Sequence, residues 1–419
     1  MERILKMKIW KKILVGSMAV MMGIALMEVN TDSNLILSAS TKQREIKRDL
    51  EDIYIERHPE ANGDILEKLN KMPKIDKLGY YDFRYADLSR LDLTKEKDKL
   101  ILSDFSTITI WPKKLPKGFN PEKIMKQYKN PGLNVRKLHK KGITGKNVGI
   151  AIIDQTLLVD HVEYKDRLKY YKEGKGANNI PAEIHGAAVA SIAVGKSVGV
   201  APEADLYYFA ESFMQKNPQI AVANDILQVL ELNKKLSKSK KIRVISISWG
   251  CEDENKKGYE DYMEALKKAK EEGVFVISTT LFTREDMKGE NLDYMGLGRK
   301  ALSSPDDFTA YIHSNWDWVD EEDTFGSNTL CAPMDNMCIA APSGFDDYAV
   351  YSVGGLSWTT PYIAGVYALA CQVDSDITYK EFWKVALETA IANETDYKGK
   401  KYSTSKIINP VGIMDELQK

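Results

Sequence analysis

The sequence predicts an α/β fold in which a doubly wound, mostly parallel sheet carries helices on both faces, preceded by a smaller N-terminal region. From about Asn147, short apolar runs alternate with segments of helical periodicity, as in chains built from βαβ units. The first run, residues 148–153, is apolar throughout, which is typical of a strand buried on both faces. Connections of this kind are right-handed and produce a parallel sheet.

The individual elements follow from the same patterns. The predicted strands are residues 148–153, 206–209, 244–247 and 274–277. Helical spacing predicts a helix over residues 219–236 and another around Tyr262 and Leu266. In an open parallel sheet a site lies at the carboxyl ends of the strands. Asp154 follows the first predicted strand and Ser248 follows the third, so both are expected there.

The composition is that of a globular chain. Its 419 residues are 43% apolar and 28% charged, with 59 Lys and Arg against 60 Asp and Glu. This length is sufficient for one large core and a smaller unit. The charge balance lacks the basic excess typical of nucleic-acid-binding proteins, so no nucleic acid partner is expected.

The first forty residues are predicted to be a signal peptide. A Lys-rich start is followed by an uncharged apolar run over residues 13–27, which is short for a bilayer span and typical of a targeting segment. Small residues at Ser38 and Ser40 predict cleavage before Thr41. The alternative is an uncleaved anchor that retains the protein at the cell surface. In both cases, membrane contact is expected only through this segment.

Cysteine use is sparse and leaves two interpretations. None of the four cysteines forms a CxxC pair, so neither a zinc knuckle nor a redox motif is predicted. Cys331 and Cys338 are close in sequence and could form a disulfide in an exported protein. The other interpretation is that all four are ordinary buried thiols.

Three polar residues become informative when they are taken together. Asp154 ends a buried strand, His185 precedes a helix of small residues, and Ser357 precedes an apolar helix. Each alone is most simply a cap, turn or packing residue. A serine nucleophile, however, needs a base for its proton and an acid that orients the base. A nucleophile at a helix start also lies near backbone N–H groups that stabilise a developing oxyanion.

The order Asp154, His185, Ser357 resembles that of the subtilisin-like serine peptidases, and the surrounding motifs do as well. The resemblance runs from about residue 145 to 412. The matching segments are DQTL at 154–157 for D-T-G-I, HGAAVA at 185–190 for H-G-T-H-V-A, GVAPEA at 199–204 for G-V-A-P-x-A, SISWG at 246–250 for N-M-S-L-G, and GLSWTTPYIAG at 355–365 for G-T-S-M-A-T-P-H-V-A-G.

The resemblance implies an exported endopeptidase whose peptidase domain spans residues 141–419 and whose partner is a protein or peptide substrate. It implies that Ser248, Trp249 and Gly250 line the substrate cleft, with Trp249 indicating an apolar or aromatic wall. No cofactor is required in this family. Calcium often stabilises its members, but no ligand cluster with recognisable spacing is present, so no metal site is predicted.

The sequence departs from the family at the side-chain oxyanion donor. The family has an Asn after the fourth strand, and that position falls near Phe282 here. Thr279 or Thr280 could supply a hydroxyl instead, and Thr280 lies nearer the aligned position. The missing Asn favours an alternative function, that of a catalytically weak or inactive subtilase-fold protein with a binding or regulatory role. An α/β-hydrolase lipase is disfavoured, because it needs G-x-S-x-G and the order Ser, Asp, His.

Residues 41–140 have two interpretations as well. Ile65, Leu66, Leu69 and Met72 recur at helical spacing, and Pro and Gly residues then mark a linker up to Gly145. The region is either a propeptide, as subtilase prosegments are, or an accessory region that is retained. The sequence does not distinguish these possibilities.

Overall fold

The structure is a computed structural model that describes residues 53–63, 66–76, 79–250, 255–279, 292–312, 329–397 and 400–419. Every helix within these ranges is too short or too polar to cross a bilayer. The predicted signal peptide lies outside the described residues, as do Thr280, Phe282 and Cys251.

The strands are short throughout the described chain. They are β1 (Tyr54–Ile55), β2 (Glu67–Lys68), β3 (Tyr81–Asp82), β4 (Ala86–Asp87), β5 (Ser103–Ser106), β6 (Gly149–Asp154), β7 (Leu168–Glu173), β8 (Asp205–Ala210), β9 (Ile242–Ile247), β10 (Phe275–Ser278), β11 (Tyr294–Arg299), β12 (Tyr311–Ile312), β13 (Leu330–Pro333), β14 (Met337–Ala340), β15 (Tyr348–Tyr351), β16 (Ile391–Tyr397) and β17 (Lys400–Ile407).

Helices separate many of these strands. They are α1 (Lys97–Leu100), α2 (Pro121–Tyr128), α3 (Val135–Lys140), α4 (Ile184–Val194), α5 (Pro218–Lys235), α6 (Tyr259–Glu271), α7 (Leu356–Val373), α8 (Tyr379–Glu388) and α9 (Pro410–Leu417).

The central sheet has the order β1-β7-β8-β6-β9-β10, and all its strand pairs are parallel. The chain runs from β6 to β7 and β8 on one side, and then continues with β9 and β10 on the other. The direction of winding therefore reverses at β6, which is where ligands bind in doubly wound sheets. Helix α4 packs against α7, and α5 packs against α6. The predicted α/β class with a largely parallel central sheet is confirmed.

Smaller sheets surround this one. A four-stranded sheet has the order β14-β15-β5-β3, in which β15 is antiparallel to both its neighbours. A five-stranded sheet has the order β12-β11-β13-β17-β16, and β2 pairs with β4. Since β15 leads directly into α7, the four-stranded sheet determines where the Ser357 segment begins.

One expectation for the N-terminal region is wrong. The spacing of Leu66, Leu69 and Met72 predicts a helix, but Glu67–Lys68 forms strand β2, which pairs in parallel with β4. Leu69 and Met72 still pack against a small apolar core. The apolar spacing therefore indicates which side chains are packed. It does not give the secondary structure, because pairing of β2 with β4 outweighs the helical periodicity.

Ile53–Lys419 forms one compact unit. Its larger apolar core lies between the central sheet and its helices. A smaller core combines Phe83, Phe105 and Phe119 with Cys338 and Val350, so residues from before and after position 140 are buried together. The boundaries at residues 40 and 140 stay predictions.

Candidate active site

Asp154 is the last residue of β6, at the strand where the sheet winding reverses. The apolar residues before it are buried, and its side chain has no solvent exposure. A carboxylate in such a position needs hydrogen-bond donors. Its Oδ1 accepts from the Gln155 N–H at 2.8 Å and lies 2.6 Å from Nδ1 of His185. Asp154 and His185 are therefore in direct contact.

His185 is placed by the close approach of α4 to the end of β6. At Gly186 a Cβ atom would lie 2.5 Å from the Gln155 carbonyl oxygen and 2.8 Å from that of Thr156. These distances are too short for any side chain, so glycine permits the first turn of α4 to reach Asp154. Gly186 therefore allows the imidazole of His185 to reach the carboxylate.

The pKa of His185 reflects two opposing effects. Burial lowers the pKa by penalising the charged ring, but the negative charge of Asp154 and its hydrogen bond raise it more, and Glu183 adds to the rise. The net pKa is above the ordinary histidine value. An ionised carboxylate only accepts hydrogen bonds. Against an ionised carboxylate, His185 Nδ1 is the donor, and Nε2 can then act as an acceptor.

Ser357 lies in the first turn of α7, but it is not the N-cap. Gly355 occupies the N-cap position, and Leu356 and Ser357 are the first helical residues. The simplest interpretation of Ser357, as a helix cap, is therefore wrong. Gly354 permits tight packing here, since a Cβ would lie 2.0 Å from the Met334 carbonyl oxygen.

The backbone of the Ser357 segment is anchored on both sides. Before it, the N–H of Gly354 donates to Oδ1 of buried Asp335 at 2.8 Å. After it, Pro361 lies inside α7 and has no N–H to donate to the carbonyl four residues earlier. That carbonyl belongs to Ser357, and the Ser248 hydroxyl donates to it at 2.8 Å. Ser248 thus replaces the helical hydrogen bond that Pro361 cannot make.

Trp358 connects the Ser357 segment to His185. The centroid of its ring lies 5.3 Å from that of His185 and 5.4 Å from that of Tyr351, which it meets edge-on. The Ser357 hydroxyl donates to the Ser248 carbonyl oxygen at 3.4 Å; within the described chain it makes no hydrogen bond to His185. Ser357 therefore lies in the neighbourhood of the Asp154–His185 pair, with its hydroxyl held by Ser248.

The predicted cleft residues follow β9 at its carboxyl end. Trp249 stacks on Phe213, with ring centroids 5.4 Å apart and an interplanar angle of 8°, and meets the edge of Tyr262. An aromatic wall therefore exists next to Ser248, and Phe213 is a member that the sequence did not identify. Trp249 itself is 7% exposed, so most of its surface contributes to packing.

Only one of the two candidate oxyanion donors can be placed. Thr279 directly follows β10, is buried, and donates its N–H to the Ile247 carbonyl at 3.3 Å. Nearby, the Tyr294 hydroxyl donates to the Ser278 carbonyl at 2.6 Å and lies 2.7 Å from Oγ1 of Thr360. Tyr294, which the sequence did not identify, thereby ties the end of β10 to α7. Thr280 lies outside the described residues, and the identity of the oxyanion donor stays a prediction.

The cysteines that the structure describes are free thiols. Cys331, Cys338 and Cys371 are all buried. Cys331 belongs to the large core and Cys338 to the small one. The structure therefore has the buried thiols of the second interpretation and no Cys331–Cys338 disulfide.

No group of three or more His, Cys, Asp or Glu side chains is arranged to hold a metal ion in the parts of the chain that the structure describes.

Comparison with known proteins shows what the central segment is similar to. Residues 145–291 match the model of the subtilase family, so the resemblance is confirmed over a segment that contains Asp154, His185 and Ser248. Ser357 lies beyond the matched residues. No curated protein matches the chain.

Solved structures of similar shape include three whose sequence identity to this chain is low. The prenylagaramide maturation protease PagA is 17% identical, covering 68% of this chain and 98% of that chain, with a TM-score of 0.49. The PatG macrocyclase domain is 16% identical; the match covers 68% of this chain and 95% of that domain, with a TM-score of 0.47. The A-subunit of the AB5 toxin from E. coli is 15% identical; the match covers 70% of this chain and 99% of that subunit, with a TM-score of 0.49.

Proposed function

We propose that the chain is an exported serine endopeptidase in which Ser357 is the nucleophile, His185 the general base and Asp154 the residue that orients the base. The observation that carries the proposal is the 2.6 Å contact between His185 Nδ1 and the fully buried Asp154 carboxylate. Ser357 lies at the start of α7, next to the tryptophan that packs on this histidine.

The proposed reaction starts when the Ser357 hydroxyl exchanges its hydrogen bond to Ser248 for one to His185. Ser357 Oγ attacks the substrate carbonyl carbon, and its proton moves to Nε2 of His185. Asp154 stabilises the imidazolium that forms. The N–H of Ser357 is one of the first amides of α7, which have no acceptor within a helix, so it can donate to the oxyanion. His185 then protonates the leaving amine, and water hydrolyses the acyl-enzyme by the same route.

A second candidate function is that of a weak or inactive subtilase-fold protein that binds or regulates a partner. Two observations favour it. The Ser357 hydroxyl is held by the Ser248 carbonyl, and the family's Asn donor is absent at Phe282. On this hypothesis the cleft would bind a peptide segment without cleaving it.

The test is hydrolysis of a broad peptide library by the purified, processed protein, together with covalent labelling by a fluorophosphonate. Ser357→Ala should abolish both, whereas the exposed Ser375→Ala should change neither. His185→Ala and Asp154→Asn should each remove most hydrolysis, and combining them should add little because the three residues act as a unit. Absence of hydrolysis and labelling in the processed parent would favour the binding function.

Export is part of the same proposal and is tested separately. We expect protein recovered from the medium to begin near Thr41, and membrane contact to be limited to the N-terminal targeting segment. Mass spectrometry of the recovered protein measures this start. Recovery of only full-length, membrane-bound chain would contradict cleavage.

A further inference from the structure

The N-terminal region contributes strands β3 and β5 to the four-stranded sheet whose strand β15 leads into α7, the helix that contains Ser357. In the four-stranded sheet, Phe105 of β5 pairs with Val350 of β15, and Ser106 pairs with Ala349. Strand β15 ends at Tyr351, six residues before Ser357. Without β5, the backbone of β15 would lose its ladder of hydrogen bonds on that side and become an unpaired edge.

A buried carboxylate links the same two segments. Oδ1 of Asp104 accepts from the Ser352 N–H at 2.7 Å and from the Ser352 hydroxyl at 2.8 Å. Asp104 is fully buried and Ser352 is 6% exposed. Within the residues that the structure describes, both donors of Ser352 therefore find their acceptor on Asp104 of the N-terminal region, and Ser352 lies five residues before Ser357.

Contacts continue from this region to the proposed base. The Arg84 guanidinium lies 4.7 Å from the centroid of the Tyr351 ring, hydrogen-bonds the Tyr351 hydroxyl, and pairs with Asp82 at 2.6 Å. Tyr351 packs edge-on against Trp358, and Trp358 packs on His185. An unbroken series of contacts thus connects Arg84 to the imidazole.

The small apolar core also depends on the N-terminal region. Phe83 and Phe105 are buried together with Val350 and Cys338. Removing the N-terminal region would expose these side chains to water and leave the Ser352 N–H without an acceptor. Both changes are unfavourable.

We propose that residues 79–128 are retained in the mature protein and hold the Ser357 segment in place, with Asp104 and Arg84 as positioning residues. This inference rests on the proposed peptidase function. It favours the accessory interpretation of this region over that of a removed propeptide.

The first test identifies which residues are present in the mature, reactive species. Protein labelled at Ser357 by a fluorophosphonate is analysed by native and denaturing mass spectrometry. We expect residues 79–128 in the labelled species, either covalently attached or, after nicking, still bound. The inference would be overturned by a labelled species in which residues 81–106 are neither covalently attached nor bound as a fragment.

The second test separates positioning from general stability. Asp104→Ala removes the acceptor for Ser352 and should lower kcat by roughly 10- to 100-fold, the scale expected when a reacting group is displaced by about 1 Å, with little change in KM. Asp104→Asn keeps an acceptor oxygen and should restore most of the rate. Asp92→Ala, at an exposed site in the same region, is the matched control. An unchanged kcat in Asp104→Ala would overturn the positioning role.

Two further measurements keep the test decisive. If Asp104→Ala fails to fold, Ser352→Ala removes one of the two hydrogen bonds and should give a smaller fall in kcat; no fall would contradict the inference. If the parent protein neither hydrolyses peptides nor labels, the proposed function fails, while mass spectrometry of the processed protein still shows whether residues 79–128 remain.

Discussion

Ser248→Ala removes the hydroxyl that donates to the Ser357 carbonyl oxygen across 2.8 Å. Pro361 cannot supply a replacement, because it has no N–H. The variant therefore leaves the carbonyl of the proposed nucleophile without its donor. The Ser248 carbonyl that holds the Ser357 hydroxyl is a backbone group and is unchanged by this substitution.

The size of the effect follows from the environment of this bond. Leaving a buried acceptor unsatisfied costs about 1–3 kcal/mol. Since the Ser357 side of this contact is partly exposed, we expect the lower part of that range. This corresponds to a fall in Tm of roughly 2–4 °C for a domain of this kind. Displacement of the nucleophile should lower kcat by roughly 10-fold and change KM less.

The assay compares four variants for Tm, kcat and KM. Ser246→Ala is the matched control, because Ser246 lies two residues earlier, is equally buried, and its hydroxyl has no hydrogen-bond partner among the described residues. Pro361→Ala restores an N–H that can donate to the Ser357 carbonyl. The double variant Ser248→Ala with Pro361→Ala should therefore recover part of the loss, with a coupling energy of about 1 kcal/mol. Identical behaviour of Ser248→Ala and Ser246→Ala, or the absence of coupling to Pro361, would refute the reasoning.

Three further predictions concern the base, its helix and the oxyanion. Because Asp154 raises the pKa of His185, kcat/KM, which reports the free enzyme, should fall as the pH drops through a value above about 6.5, the ordinary histidine pKa; Asp154→Asn should shift this midpoint downward, and an upward shift would contradict the assignment. Gly186→Ala forces a Cβ to within 2.5 Å of a backbone oxygen, so it should destabilise the protein by roughly 1–3 kcal/mol and depress kcat. Gly63→Ala, whose Cβ would meet its nearest atom at 3.6 Å, should have little effect in the same thermal and kinetic assays. Thr280→Val or Thr279→Val should lower kcat by less than the roughly 100- to 1000-fold cost of losing a full oxyanion donor, and unchanged turnover in both would exclude a threonine donor.

The central strands could be predicted because burial on both faces leaves a continuous apolar signal. Residues 148–153 were expected as a strand, and β6 is Gly149–Asp154. The sequence does not predict strand β7, because Leu168–Glu173 carries Lys169 and Lys172 on a half-exposed surface, so its composition resembles that of a loop. A parallel strand between β1 and β8 is determined by its neighbours more than by its own residues.

Part of the site's support can be inferred from the sequence. A proline four residues after Ser357 implies that the Ser357 carbonyl needs a donor from elsewhere, and Ser248 was already expected near the strand ends. The contributions of Asp104, Asp335 and Tyr294 had no comparable signal. They come from segments far away in sequence, and their roles depend on sheet pairing whose register only the structure specifies.

Buried carboxylates fix the backbone beside the proposed triad in three places. Asp154 accepts from the N–H of Gln155, Asp335 from that of Gly354, and Asp104 from that of Ser352. Each bond holds a chain segment next to a proposed catalytic residue before substrate arrives. Such prior placement is what makes an active site effective. The arrangement also places an ionisable group, Asp104, in a position where it has no solvent exposure.

The pKa of Asp104 provides a separate test of that arrangement. Burial raises its pKa to about 7, and Arg84 opposes the rise only in part, while Asp82 adds to it. Because the folded pKa exceeds the unfolded value of 3.8, the folded state binds the proton more tightly, so Asp104 favours folding at low pH and this contribution is lost as the pH rises through about 7. Between pH 6 and pH 8 the free energy of unfolding should fall by about 1 kcal/mol from this group alone. His139 and His161, whose pKa values burial lowers, contribute with the opposite sign, so the measurement is the difference between the parent and Asp104→Asn in denaturant unfolding at each pH. The difference in free energy of unfolding between the parent and Asp104→Asn should change with pH between pH 6 and pH 8. Over the same interval kcat should rise, because it requires neutral His185. A difference that stays constant from pH 6 to pH 8 would show that Asp104 does not titrate there.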